Sequence, residues 1–497
     1  MNERGCGVLL PIFSLPSPFG IGDFGGFAYK FVDILAENKI KFWQILPLNP
    51  VDKSGLFSPY MSYSAFAYNF LFISPYFLIK EDLLSKDILK KVPDFKENEV
   101  EYERIYDFKR VILDIAYYNF KKKNEEDKFL KFCRENDYWL NSYSLFTVLK
   151  NEFKTIWNEW ESKIRDRSPE VIGKLERKYE REIEKVKFVQ YIFYKQFITL
   201  KRYANKRGVK IIGDIPIYVS YDSADVWENP QIFKLDENKK PLYVSGVPPD
   251  YFSEKGQLWG NPVYDWDKLR ERNFDFWVKR IFHNLKFYDY IRIDHFRGFV
   301  GYYQIPYGSE DARIGEWVKA PAREFFDFIF KKFGKFNLIA EDLGFITDDV
   351  VEIMKIYDIP GMRVFQFGFG DLNLNNPHLP HNYPEKSFGY TSTHDTNTLK
   401  GWFEKEIKDN IKKFILDYLN ISSEDDIWNG IMKKMLFSRA SVIIIPVYDI
   451  LFLGEEARIN KPGTKIGNWK WRMSLKLFEE LKEKIKILKK LIEASNR

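Results

Sequence analysis

Four short apolar runs in this chain end on acidic residues, and that recurrence limits the possible folds more than any other feature. Tyr290-Ile-Arg-Ile-Asp294 alternates large apolar and polar side chains and runs straight into His295-Phe-Arg-Gly298. Lys210-Ile-Ile-Gly-Asp214 is a β-branched run that reaches an aspartate. Asn337-Leu-Ile-Ala-Glu341 reaches a glutamate, and Phe388-Gly-Tyr-Thr-Ser-Thr-His394-Asp395 reaches a His–Asp pair. Runs of this length and make-up suit β-strands. In a parallel α/β barrel the C-terminal strand ends converge on one face, and that face carries the active site. Acids gathered there would repel one another without a shared task.

Strand candidates at 7–10, 41–46, 209–215, 290–294, 337–341, 361–367, 388–393 and 441–445 make eight. Helical spacing at 27–37, 274–285, 322–333 and 347–356 falls between them. This alternation predicts an α/β fold, a (β/α)8 TIM barrel; a doubly wound open sheet is the alternative. A plain barrel needs about 250 residues, whereas the chain has 497. The excess is predicted as a large, mostly helical insertion and extended loops at the C-terminal face. Residues 1–50 would form the first part of the barrel and 51–203 an inserted loop and Lys/Glu-rich helical subdomain. Residues 204–497 would complete the barrel and include a lid-like loop at 245–262, dense in Gly, Pro and aromatics.

Charge and cysteine content exclude several classes. The 77 basic and 71 acidic residues leave a net charge of +6, spread along the chain. That is too diffuse for a nucleic-acid partner. Cys6 and Cys133 lie too far apart in sequence for a disulfide framework or a zinc spacing. No run approaches the ~18 apolar residues of a membrane span. The expectation is a cytoplasmic protein without a membrane or nucleic-acid partner.

At a period of two, Arg292 and Asp294 point to one face of their strand and Ile291 and Ile293 to the other. A cation beside Asp294 favours its ionised form, as a nucleophile needs. Glu341 follows Leu338, Ile339 and Ala340, and a drier setting raises a carboxyl pKa, as a proton donor needs. Two such carboxyls perform glycosidic bond chemistry. Asp395 can bind ring hydroxyls and help to distort a sugar, and His394 and His295 can donate to it. The competing reading is a metal hydrolase with His295–Asp294 and His394–Asp395 as ligands. Neither pair has the spacing of a dedicated metal site, so no metal is expected. In the 245–262 segment, Tyr251, Phe252 and Trp259 offer apolar cover, and Gln257 offers hydrogen bonds to hydroxyls.

The motifs Asp214-Ile-Pro-Ile-Tyr-Val, Asp222-Ser-Ala-Asp-Val-Trp227, Gly256-Gln-Leu-Trp-Gly-Asn-Pro262, Arg292-Ile-Asp-His-Phe-Arg-Gly298, Ala340-Glu-Asp-Leu-Gly344 and Thr393-His-Asp395 resemble those of one family. That family is the amylomaltases, bacterial 4-α-glucanotransferases related to the α-amylase clan. The resemblance runs from Ser14-Leu-Pro-Ser-Pro to Asn468-Trp-Lys-Trp-Arg472. It implies retaining transfer of α-1,4-glucan segments from a maltodextrin donor to a glucose or maltodextrin acceptor, with no cofactor. It also implies Asp294 as nucleophile, Glu341 as general acid/base and Asp395 as third carboxylate. Tyr60, Asp214, Gln257, Trp259, Arg292, Asp371 and His394 would contact sugar. Met61 and Tyr448 depart from the family pattern, which has Gln at both places, and bear on acceptor preference and product size. An α-glucan hydrolase would use the same carboxylates. A non-catalytic glycan-binding protein would keep the aromatics but has no need of Asp294 and Glu341 together.

Overall fold

The computed structural model describes residues 3–123, 126–249 and 253–497. Eight parallel strands are present: β1 (Gly5–Leu9), β2 (Phe42–Gln44), β3 (Lys210–Ile215), β4 (Tyr290–Ile293), β5 (Leu338–Ala340), β6 (Gly361–Val364), β7 (Ser387–Tyr390) and β8 (Val442–Pro446). They run in the order β6-β7-β8-β1-β2-β3-β4-β5. The two ends of that order meet where Ala340 N–H donates to the Pro360 carbonyl at 2.9 Å, so the sheet curls into a barrel. Each strand lies at a predicted position, and each is one to three residues shorter or shifted at its ends.

The pleat sorts the side chains into two cores. Leu9, Phe42, Ile212, Tyr290, Ile339, Met362, Val364, Phe388, Tyr390, Val442 and Ile444 pack together inside the barrel. The residues next to them in sequence, such as Ile211, Ile291, Ile293, Leu338 and Ile443, join the outer core under the helices. Arg292 therefore shares the inward face of β4 with Tyr290, as the period of two requires. The helices Asp275–Phe287, Ala322–Phe333 and Asp348–Ile356 follow β3, β4 and β5 as expected. Between β6 and β7, however, the chain makes only two short 3-10 turns, Phe365–Phe369 and Pro380–Asn382.

The insertion is helical, with Tyr102–Lys122, Asp137–Phe153 and Glu180–Lys206 as its longest elements. The last of these runs through the boundary expected at 203 and leads directly into β3. It also anchors the preceding loop. Gln190 exchanges two hydrogen bonds with the Tyr68 main chain (2.8 and 3.0 Å), and Gln196 does the same with Ser74 (2.7 and 3.2 Å). Both glutamines are buried, so these bonds each contribute about 0.5–1.5 kcal/mol net and would be costly to leave unmade. Asp225 accepts from Ala65 N–H at 2.7 Å, and Ala224 N–H donates to the Tyr63 carbonyl at 2.8 Å. The aromatic loop around Tyr60 is thus tied down on its C-terminal side, at Tyr63, Ala65, Tyr68 and Ser74.

The segment expected as a lid-like loop at 245–262 carries strand at both of its ends. Tyr243–Val247 pairs antiparallel with Gln257–Pro262 on one side and with Gly301–Pro306 on the other, and Glu316–Lys319 completes a four-stranded sheet. Gly246 is there for close approach rather than movement: a Cβ at this position would lie 2.2 Å from the Gln257 carbonyl oxygen. Tyr251 and Phe252 lie outside the described residues. Among the described residues no helix is long and apolar enough to cross a membrane.

Candidate active site

Arg292 organises the site. It is 3% exposed, and its Nη1 donates to Asp214 Oδ1 and Oδ2 (both 2.7 Å) and to Asp294 Oδ1 (3.1 Å). Residues 214 and 292 are register partners on β3 and β4, so the ion pair follows from the barrel ladder itself. Asp214 also accepts from the Tyr60 hydroxyl at 2.7 Å, and the Tyr60 oxygen lies 2.8 Å from His394 Nε2. The Tyr60 and His394 rings stack with 5.4 Å between centroids. His394 Nε2 lies 3.2 Å from Asp395 Oδ2, and Asn460 Nδ2 donates to Asp395 Oδ1 at 2.7 Å. One polar network therefore joins Tyr60, Asp214, Arg292, Asp294, His394 and Asp395. Two of its carboxylates face the cleft, with 29% of the Asp294 side chain and 41% of the Asp395 side chain exposed.

Glu341 belongs to the strand beside β4, and its main chain continues the ladder: Glu341 N–H donates to the Ile293 carbonyl at 3.0 Å. Its side chain is held from below by two backbone donors, His295 N–H to Oε2 (2.7 Å) and Leu343 N–H to Oε1 (3.0 Å). The first of these bonds depends on His295 adopting the left-handed region, φ 50° and ψ 52°. A non-glycine residue there is strained, and such strain gathers at functional sites. The His295 ring meets Trp259 edge to face at 4.8 Å, and its Nε2 is buried with no hydrogen-bond partner.

These surroundings separate the proton affinities. Burial, aided by Asp214 and Asp395, pushes Asp294 up to about 6 against the pull of Arg292. Burial and then the Asp294 charge push Glu341 up to about 8, against Arg292 and the two backbone donors. Burial would also raise Asp395, but His394, Asn460 and Arg292 together outweigh it and bring Asp395 to about 2. Burial opposes charge on His394, yet Asp395 wins and its pKa is raised. Burial and then Arg297 lower His295 to about 4, so it is neutral at pH 7. Arg292 favours the ionised form of Asp294 as expected of a neighbouring cation, but removal from water costs the carboxylate more than one arginine returns. The ordering is unchanged: near neutrality Asp294 is ionised and Glu341 holds a proton.

Of the other residues expected at the site, Trp259 and Gln257 sit together, with Trp259 Nε1 donating to Gln257 Oε1 at 3.1 Å. Asp371 lies on an exposed turn, where it accepts from Asn373 N–H and Asn376 Nδ2, each at 3.3 Å. Met61 Sδ accepts from Asn261 Nδ2 at 3.8 Å, joining the Tyr60 loop to the Trp259 hairpin. Tyr448 is buried, and its hydroxyl donates to the Thr393 carbonyl at 2.9 Å, just before His394. Asn460 and Trp469 were not foreseen at the site. Trp469 packs on both Tyr60 (5.6 Å) and His394 (6.2 Å). Its only sequence signal was membership of the Asn468–Arg472 motif. Among the described residues no group of three or more His, Cys, Asp or Glu side chains has the arrangement to hold a metal ion.

Paired carboxyls with split affinities at the mouth of a barrel match the comparisons with known proteins. The glycoside hydrolase family 77 model, described as 4-alpha-glucanotransferase, matches residues 10–477. A 4-alpha-glucanotransferase of Aquifex aeolicus is 44% identical over 490 residues, covering 98% of each chain. One from Clostridium butyricum is 45% identical over 479 residues, covering 95% of this chain and 97% of the relative. The solved amylomaltase from Streptococcus agalactiae, in complex with acarbose, superposes with a TM-score of 0.95 at 38% identity over 100% of both chains. This chain belongs to the 4-α-glucanotransferases of glycoside hydrolase family 77.

Proposed function

We propose that this enzyme disproportionates α-1,4-glucans by a double displacement in which Asp294 is the nucleophile and Glu341 the general acid and base. The observation that carries the assignment is the placing of these two residues on adjacent strand ends, with Asp294 bonded to Arg292 Nη1 at 3.1 Å and Glu341 held by the His295 and Leu343 amides. Burial raises the pKa of both, and the Asp294 charge raises that of Glu341 further. In the first half-reaction the Asp294 carboxylate attacks the anomeric carbon while Glu341 protonates the departing glycosidic oxygen. Once Asp294 is esterified its charge is gone. That charge was the second-largest cause raising Glu341, so the pKa of Glu341 falls when it must act as a base. It then takes the proton of the acceptor 4-hydroxyl, which attacks the ester and restores the original anomeric configuration. Asp395, ionised and held by Asn460 and His394, is suited to bind ring hydroxyls and the developing positive charge.

The pH dependence follows with its signs. Activity requires ionised Asp294, so kcat/KM rises with pH through about 6. It requires protonated Glu341, so kcat/KM falls through about 8. The two limbs belong to the pair as a whole. A steady-state series from pH 4.5 to 9.5 should give this bell, and a curve rising monotonically to pH 9 would contradict the assignment of the acid.

We further infer that the donor is a maltodextrin and the acceptor glucose or a maltodextrin. Water is always in excess, so transfer needs an acceptor held in attacking position. Trp259 and Gln257 supply an apolar face and a hydrogen-bonding amide on an edge strand of the four-stranded sheet. Purified enzyme with maltotriose should yield glucose and longer dextrins with little gain in reducing ends. Trp259→Ala should lower transfer more than hydrolysis. Reducing ends that rise in step with maltotriose loss in the parent would identify a hydrolase, and an unchanged transfer-to-hydrolysis ratio in Trp259→Ala would remove Trp259 from acceptor positioning.

A further inference from the structure

The barrel ladder is weakest between β5 and β6, where few main-chain bonds join the two strands, and three consecutive residues of β6 serve that seam. Gly361 admits the Asp342 carboxylate; a Cβ at 361 would lie 2.3 Å from Asp342 Oδ2. Met362 N–H donates to Asp342 Oδ1 at 2.6 Å, a side-chain acceptor standing where a neighbouring strand would offer a carbonyl. Arg363 Nη1 donates to Asp342 Oδ2 at 2.8 Å and to the Met362 carbonyl at 2.5 Å. The Met362 main chain is thereby fixed to the residue that follows Glu341.

The Met362 side chain enters the barrel interior, 1% exposed, and its Sδ accepts from Arg292 Nε at 3.3 Å. A guanidinium is a rigid planar fork, so the direction taken by Nε sets the direction of Nη1. Nη1 is the atom that bonds Asp214 twice and Asp294 once. We propose that Met362 is a positioning residue, whose thioether orients Arg292 towards Asp294 and whose backbone ties that arginine to the Glu341 strand across the seam. The proposal rests on the reading of Asp294 as nucleophile.

The charged and titratable groups facing Asp294 are Arg292 on its own strand, Asp214 on β3, Glu341 after β5, His394 and Asp395 after β7, and the Tyr60 phenol. Of these, Arg292 lowers the Asp294 pKa most, and its Nε donates to the Met362 sulfur. Loosening Arg292 therefore acts on the acid limb of the pH profile.

The test compares the full-length parent, Met362→Leu and Met362→Gln on maltotriose. Leucine keeps the volume and removes the acceptor, while glutamine replaces it with a stronger one. In Met362→Leu the acid limb of kcat/KM should move up by about half a pH unit or more. Its kcat should fall about tenfold, as expected for a misaligned catalytic group, with KM unchanged. Met362→Gln should return both quantities to parental values. A folded Met362→Leu with the parental acid limb and kcat would overturn the proposal. So would a folded Met362→Gln whose acid limb is displaced upward, a result that stands even if the leucine variant fails to fold. Asp294→Asn, run alongside, separates the layers: if it is inactive while Met362→Leu is parental, only the role of Met362 falls. If it is active, the nucleophile assignment falls and takes this proposal with it.

Discussion

Asp294→Asn should abolish transfer, lowering kcat by about 10⁴-fold or more while the folded protein still binds maltodextrin. The amide fits the same space beside Arg292, so the change is almost purely chemical: no oxygen remains that can form a glycosyl ester. Its stability should not suffer. In the parent, folding brings Asp294 to a pKa of about 6, above the ordinary aspartate value. Ionising it therefore costs folded-state stability, which is fully present below the unfolded pKa and lost as pH rises through about 6. A neutral amide avoids that cost, although it leaves Arg292 with less negative charge around it. Activity assays and a binding titration on the same preparation check the prediction. Residual transfer within tenfold of the parent would mean that another carboxylate attacks.

Glu341→Gln should lower kcat on maltotriose by about 10²–10⁴-fold, the range for removing a general acid. The loss depends on the leaving group. A maltosyl fluoride donor needs no protonation to depart, so formation of the glycosyl-enzyme should survive, while its transfer to an acceptor, which needs the base, should stall. The melting temperature gives a second, independent check. The folded pKa of Glu341, about 8, lies above the ordinary glutamate value. Its contribution to stability is fully present below the unfolded pKa and is lost progressively up to pH 8. Glutamine cannot ionise, so the variant should melt above the parent at pH 9 and close to it at pH 4.5. A loss of equal size on both donors, with no alkaline stabilisation, would remove Glu341 from the acid/base role.

The barrel was legible because its strands are apolar runs, four of which (β3, β4, β5 and β7) lead to acidic residues at the rim, and period-two sorting made the inward face of β4 readable. Tyr243–Val247 and Gln257–Pro262 were not, since Gly246 and the Pro248–Pro249 pair carry the signals of a turn. Tyr243–Val247 pairs with Gly301–Pro306, far along the chain, and carries Gln257–Pro262 on its other edge. The candidate carboxylates Asp294, Glu341 and Asp395 are legible from the strand ends. Their charge states were legible in part: Arg292 and the apolar run before Glu341 point to an ionised Asp294 and a protonated Glu341, but the upward push of burial on Asp294 is a property of the assembled site. Asn460 and Trp469 reach the site on a loop after β8, and nothing in their own sequence neighbourhood specifies where that loop returns. Met362 offered no signal either: a methionine inside an apolar strand reads as core until its sulfur is seen against Arg292 Nε.

The most direct test of the central claim is to trap the covalent intermediate. Glu341→Gln protein incubated with maltosyl fluoride, denatured and digested should carry one maltosyl group, and peptide mass spectrometry should place it on Asp294. A label on Asp395 or Asp214, or inverted product from the parent enzyme with no label at any residue, would contradict the double displacement through Asp294.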